Sequence, residues 1–383
     1  MNGYGTVVGH RRAPPAAHDS ILTQTLRVVF LPYDEAGNNP YQRQLTLALL
    51  RYGVHVHAAH PSSLILLRQF PTIWSAHVLH IHWPESHVLS AGSRVITLLR
   101  MAAMLGQLGF LRLMGRRIVC TLHNLRPHEN PYPRLMHHYF RLLYRLAHGL
   151  IAHCPRAAQL AADSYRIRNR AKIRVIPHGH YVDWYPNQLT QADARRQLGL
   201  PPTACIFLSF GALRRYKAIR ALIQEFRRRL SSRAILLIVG QPVDDATNEQ
   251  VREAIGNDPA VVYHPVFVAP DDVQRYMNAA DFVVCPQPDA LTSGTLVLAM
   301  SFGRACVAPD VGCLGETLDS SGGTLYDPAQ PDALADALVT AFARRDEAAE
   351  MGAHNLERAR SWDWDAIARA TWAVYADDPG GPL

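Results

Sequence analysis

The 383-residue sequence has no CxxC pair among its six cysteines, which lie scattered at Cys120, Cys154, Cys205, Cys285, Cys306 and Cys313. That spacing speaks against a disulfide framework and a cysteine zinc site, and for a reducing compartment. No uninterrupted apolar run reaches the ~18 to 20 residues of a membrane span. The longest, Val95 to Met114, is broken by Arg100, Gln107 and Arg112. Residues 1–25 lack the apolar core of a signal peptide and read as a flexible lead-in. GxGxxG is missing, which argues against an NAD or FAD enzyme. HExxH is missing too, and no strand end carries a DxD-type motif. Internal repeats and low-complexity tracts are not seen.

What remains is globular: 48% hydrophobic, 8% aromatic and 19% charged residues, which excludes a mostly disordered chain. The length suits two domains. The net charge of +7 hides a split. Residues 1–185 hold 21 Lys/Arg against 7 Asp/Glu, and residues 186–383 hold 18 against 25. Seventeen of the 19 histidines lie in the first half. Two halves of opposite sign predict two domains with different partners. The basic half suits an anionic membrane, an anionic substrate or nucleic acid; no nucleic-acid motif accompanies it.

Short apolar runs alternate with helical periodicity. Strands are predicted at 26–32, 54–58, 78–82, 117–122, 150–153 and 173–177, with helices at 40–52, 91–115 and 133–147. A second series has strands at 204–210, 234–239, 261–263, 282–285 and 305–308. Its helices fall at 218–230, 294–302, 331–343 and 348–360. The expectation is two Rossmann-like α/β domains, 26–185 and 186–361, with ligands in the cleft at the strand ends.

Thr292, Ser293, Gly294 and Thr295 open a predicted helix, where free N–H groups and the dipole favour an anion. The same residues also make an ordinary N-cap. Arg214 and Lys217 lie on a loop after the first strand of the second half and can face a diphosphate. In the first half, Glu85, His123 and Glu129 follow strand ends and are candidate general bases. His80, His82, His123, His178 and His180 lack a metal-ligand spacing. The loop Asp34 to Tyr41, with Asn39, can cover the cleft. Basic and aromatic residues on 91–115 and 133–147 fit an anionic membrane face or a helix packed on the sheet.

The pieces Asn39-Pro-Tyr41, Leu79-His-Ile-His-Trp-Pro-Glu85, Thr121-Leu-His-Asn124, Pro127-His-Glu129, His178-Gly-His-Tyr181, Tyr216-Lys217 and Ser293-Gly-Thr-Leu296 occur in an order that is familiar. Over most of 26–376 the chain resembles the bacterial exopolysaccharide glycosyltransferases of the GT-B fold. Within them it is most similar to the xanthan type, which transfers mannose from GDP-mannose to a glycolipid in β-1,4 linkage. More distantly it resembles glycosyltransferase family 4. Those retaining relatives usually carry two glutamates eight positions apart; here Ala290 and Leu298 stand in their places.

The resemblance implies an inverting, metal-independent mannosyltransferase with no cofactor. Its donor would be GDP-mannose, held by Arg214, Lys217, Ser293, Gly294 and Thr295, with Glu316 as a substitute ribose partner. The acceptor would be a glycan on a polyprenyl diphosphate, bound near Asn39, His82, His178 and Tyr181. The base is expected at Glu85, then Glu129, then His123. A helix at 362–376 is expected to cross back onto the first domain. The enzyme would work in the cytoplasm, at the inner face of the membrane. A retaining transferase using a UDP-sugar, and a non-catalytic transferase-like binding protein, stay open.

Overall fold

A computed structural model describes residues 25–33, 40–127 and 130–376. Two six-stranded parallel sheets follow one another along the chain. The first holds β1 (Leu26–Leu31), β2 (Val54–Ala58), β3 (Val78–Ile81), β4 (Arg117–Thr121), β5 (Gly149–Ala152) and β6 (Ile173–Val175), in the order β2-β1-β3-β4-β5-β6. The second holds β7 (Cys205–Phe210), β8 (Ala234–Val239), β9 (Val261–His264), β10 (Phe282–Val284), β11 (Ala305–Pro309) and β12 (Gly323–Tyr326), in the order β12-β11-β10-β7-β8-β9.

The inner strands are buried on both faces, as the near-continuous apolar runs require. β3 and β5 have no residue outside the core, and Phe207, Leu208, Leu236 and Leu237 are fully enclosed. Each sheet has a topological switch, between β1 and β3 in the first and between β7 and β10 in the second. In open α/β sheets the ligand crevice lies beyond the strand ends at such a point. The fold therefore selects the segments after β1, β3, β7 and β10.

The final helix, Trp364–Ala376, packs on the first sheet beside the helix Pro40–Leu50. Tyr375 donates or accepts at Nδ1 of His80 at 2.6 Å, the Tyr52 hydroxyl donates to Asp365 at 2.7 Å, and Arg117 Nε donates to the Val374 carbonyl at 3.0 Å. Trp364, Ile367 and Tyr375 join the same apolar cluster as Val28, Phe30 and Leu45.

The sequence reading passes over helices at Pro155–Tyr165, Gln191–Gln197, Asp245–Ile255 and Val273–Ala279, and over β12. These are short and polar on one side, and tertiary contacts decide them. The helix Arg94–Leu113 is long and apolar enough to cross a membrane by length and composition. It instead lies on the first sheet, with Thr97, Met101, Met104, Leu108 and Leu111 buried.

Candidate active site

The loop after β7 turns through Gly211, whose φ of +98° only glycine adopts readily. A Cβ there would sit 3.4 Å from Lys217 Nζ and 3.7 Å from Thr295 Oγ1. The glycine thus leaves room where an ammonium and a hydroxyl converge. Lys217 is one of only two lysines in the chain. Burial, and then the charge of Arg214, hold its pKa below the ordinary value. Among the described residues no carboxylate pairs with it. The next residue, Ala218, has a left-handed backbone at φ +54°.

The segment after β10 leads into the helix Gly294–Ser301. Ser293 is its N-cap, the hydroxyl accepting from Leu296 N at 3.2 Å. Its side chain therefore serves the helix, while the first-turn N–H groups at Gly294 and Thr295 and the Thr295 hydroxyl stay at the cavity wall. Phosphate binding at such a terminus needs no further device.

From the first domain, His82 and Trp83 directly follow β3, and β4 ends before His123. His82 Nδ1 and His123 Nε2 share a hydrogen bond of 2.9 Å. The Trp83 indole lies nearly parallel to the His123 ring, with centroids 4.3 Å apart. Beneath them the Thr121 hydroxyl meets His80 Nε2 at 2.7 Å. The Tyr41 ring packs against His123, His153 and His178. Burial keeps all these imidazoles neutral, and neighbouring histidines add to the effect at His80, His82, His123 and His178; His80 and His178 are pushed down to about 3 and His153, by burial alone, to about 4. His82 and His123 are shifted in the same direction and for the same cause.

These two sets of residues meet around a cavity of about 380 Å³. Trp83, His123 and His178 line one side; Lys217, Gly294 and Thr295 line the other, with Tyr181 at the junction. The Thr292 hydroxyl donates to the His123 carbonyl across the cleft. A second cavity of about 540 Å³ adjoins it at Gly211 and Phe210, with Arg214, Gln241, Val243 and Phe267 in its walls.

The cavity thus gathers Lys217, Ser293, Gly294, Thr295, His123, His178 and Tyr181, while Arg214 belongs to the adjoining one. His82 is not on the wall; it lies in the layer behind His123. Glu85 opens the short helix Glu85–Val88 and does not line the cavity either. Burial pushes its carboxyl up to about 7. Glu316 is turned elsewhere: its Oε1 accepts from Arg156 N at 2.8 Å, at the N-terminus of Pro155–Tyr165. It lines a smaller interdomain pocket with Cys154 and Cys313. Asn39 and Glu129 lie outside the described residues. Trp83 is the addition, and Thr292, read from the sequence with the helix start, gives its hydroxyl to the His123 carbonyl instead. The position of Trp83 just after the switch-point strand β3 is the signal that marks it. Among the described residues no group of three or more His, Cys, Asp or Glu side chains is arranged to hold a metal ion.

Comparison with known proteins agrees with this geometry. Residues 204–344 match the family model "Glycosyl transferases group 1", and 95–184 match "Glycosyltransferase Family 4". The chain is 31% identical over 279 residues to a GDP-mannose:glycolipid 4-beta-D-mannosyltransferase of Xanthomonas campestris pv. campestris, covering 72% of this chain and 70% of the relative. It is 32% identical over 198 residues to a D-inositol 3-phosphate glycosyltransferase of Streptomyces griseus, covering 48% and 42%. In fold it is similar to the sucrose-phosphate synthase of Thermosynechococcus elongatus, with a TM-score of 0.71 at 20% identity over 92% of this chain and 98% of that one. It is likewise similar to HepE of Anabaena in complex with UDP, with a TM-score of 0.65 at 17% identity, covering 92% and 100%. Two parallel Rossmann-like sheets facing a shared cleft, family models matched in each half and 31% identity to a relative matched over 70% of its length lead to one conclusion: the chain belongs to the GT-B glycosyltransferases of group 1 and family 4.

Proposed function

We propose that this glycosyltransferase moves mannose from GDP-mannose to a lipid-linked glycan, inverting the anomeric centre and needing no metal. The observation that carries the donor site is Lys217, an ammonium with no carboxylate partner among the described residues, set against the N-terminus of Gly294–Ser301. The leaving diphosphate gains charge as the glycosidic bond breaks, so both groups bind the transition state more strongly than the ground state. They supply the positive charge that a divalent cation gives in other transferases. The adjoining apolar cavity beside Arg214 has the size and walls for a nucleobase. The choice of guanine and mannose rests on the relative's name.

The base would be His123. Of the three sequence candidates it alone lines the cavity among the described residues. It takes the proton of the acceptor hydroxyl at Nδ1 while that oxygen attacks C1. The resulting imidazolium is steadied by His82 at Nε2 and by the donor's own negative charge, which raises the imidazole pKa. Ala290 and Leu298, both buried and apolar, occupy the positions where retaining relatives carry glutamates. That supports inversion.

The acceptor's lipid carrier would be a polyprenyl diphosphate, as in exopolysaccharide assembly. The helix Arg94–Leu113 leaves Val95, Leu99 and Leu113 in solvent beside Arg94, Arg100 and Arg112, and Leu67 and Phe70 are exposed as well. An apolar face with arginines at its edge fits peripheral contact with an anionic cytoplasmic membrane.

The test is a thermal-shift panel of GDP, UDP, ADP, CMP and dTDP, each with Mg²⁺ or with EDTA. At ~100 times its Kd a ligand adds about 2.7 kcal/mol of stability. A GDP-selective shift that survives EDTA supports the reading. A shift with UDP alone moves the donor to another sugar. No shift with any nucleotide defeats it in favour of a non-catalytic binding protein.

A further inference from the structure

Trp83 has a left-handed backbone, φ +41°. Bulky residues rarely adopt that conformation, and it persists only where the surroundings enforce it. Here they do so from every side. His82 N donates to the Leu31 carbonyl at 2.7 Å, fixing the residue before. Pro84 fixes the residue after. The Trp83 carbonyl accepts from both Ser86 N, at 3.0 Å, and Ser86 Oγ, at 2.8 Å. The indole is backed by the His123 ring at an interplanar angle of 16°. His123 cannot recoil, since His82 holds its Nε2 and Thr292 its carbonyl. A regular strand end would have cost nothing. This turn directs the ring to the first-domain wall of the cleft cavity.

A half-buried indole at the wall of a polar cavity matches the chemistry of a pyranose. The sugar's axial C–H bonds form an apolar face, and its hydroxyls radiate from the edge toward the polar groups of the cavity. The anion-binding groups Lys217, Gly294 and Thr295 all belong to the second domain. A diphosphate held there leaves the Trp83 wall to the other substrate. We propose that Trp83 is the stacking platform for the terminal sugar ring of the acceptor. This rests on the glycosyl-transfer reading and names a binding residue within it.

The experiment uses the full chain labelled with 5-fluorotryptophan, which gives one ¹⁹F resonance for each of six tryptophans. The Trp83 resonance is the one lost in Trp83→Phe. Titration with hexyl β-glycosides of glucose, mannose and glucuronic acid is expected to move it with at least one sugar, and GDP is expected to leave it in place. Trp83→Ala should weaken that glycoside about tenfold or more, with GDP affinity within about twofold. Trp83→Phe should recover most of the loss. Trp83→Gly keeps the left-handed turn and removes only the ring, so it should behave as Trp83→Ala even where alanine strains the loop.

A Trp83 resonance that ignores every glycoside overturns the proposal. So does one that responds to GDP-mannose but not to a glycoside, which would put the donor sugar on the ring. Equal loss of GDP and glycoside affinity in Trp83→Gly would show a structural role and overturn it too. If no nucleotide binds the wild type while a glycoside still moves the resonance, the transfer reading fails and the sugar platform stands.

Discussion

The hydroxyl of Thr292 donates to the backbone carbonyl of His123 at 3.0 Å, joining the lip of the second domain to the end of a first-domain strand. Because the acceptor is a main-chain atom, the bond sets the distance between the His123 imidazole and the N-terminus of Gly294–Ser301. Thr292→Val keeps the shape and removes the donor. One neutral hydrogen bond contributes about 0.5–1.5 kcal/mol. Turnover should fall roughly two- to tenfold, and calorimetry should find GDP affinity almost unchanged. Unaltered turnover would show that this bond does not hold the working arrangement.

Lys217→Ala removes the one ammonium at the cavity. A charged hydrogen bond contributes about 1.5–3 kcal/mol, so the Kd for GDP should rise roughly ten- to 150-fold. Calorimetry in low salt reads this directly. Retained affinity would place the diphosphate elsewhere.

Ala218 has φ +54° at the start of Ile219–Arg229. The left-handed conformation costs an L-residue about 1–2 kcal/mol, part of which glycine returns as unfolded-state entropy. Ala218→Gly should therefore stabilise the fold by about 0.5–1 kcal/mol, seen as a raised denaturation midpoint in urea. A lowered midpoint would contradict the strain.

The buried imidazoles make stability depend on acid. Their folded pKa values are depressed, with His80 and His178 at about 3 and His153 at about 4. The unfolded chain therefore takes up protons first, near pH 6.5. Stability should fall as pH drops below 6.5, each group contributing up to about 1.4 kcal/mol per pH unit until its folded pKa is reached. Urea denaturation between pH 7 and 5 measures the slope. His153→Gln should flatten it, and an unchanged slope would count against this origin.

Glu85 has the opposite sign. Its folded pKa is raised to about 7, so the native state holds a proton that the unfolded chain has released above about pH 4.5. It costs stability as pH climbs toward 7, and the cost persists above. Glu85→Gln should raise the melting temperature at pH 8 and change little at pH 4.5. Because Glu85 does not line the cavity, turnover should stay within a few-fold of wild type. A hundredfold loss with GDP binding intact would restore it as the base.

Much of the fold was legible because its signals are local. β-branched and leucine-rich runs such as Ala234–Val239 read as buried strands, and the periodicity of 40–52 and 133–147 as helices. The second-domain loops that line the cavity were legible for the same reason. Ser293-Gly294-Thr295 is an N-terminal signature whatever surrounds it, and Lys217 lies a fixed few residues beyond a strand end. Helices such as Asp245–Ile255 were missed because their one apolar stripe is narrow and gains its meaning only against a neighbour.

The order of residues by itself determined the two parallel α/β domains, the opposite charge of the two halves and the cationic loop after β7. These follow from period, propensity and cap chemistry within a dozen residues. Only the tertiary structure decided which strand-end residues share a wall. It put His123 on the cavity and His82 behind it, took Glu85 off the wall, gave Glu316 to a helix N-terminus and turned Trp83 inward. Those outcomes depend on strand order at the switch points and on hydrogen bonds between residues 41 to 169 positions apart. No local preference along the chain encodes such distances.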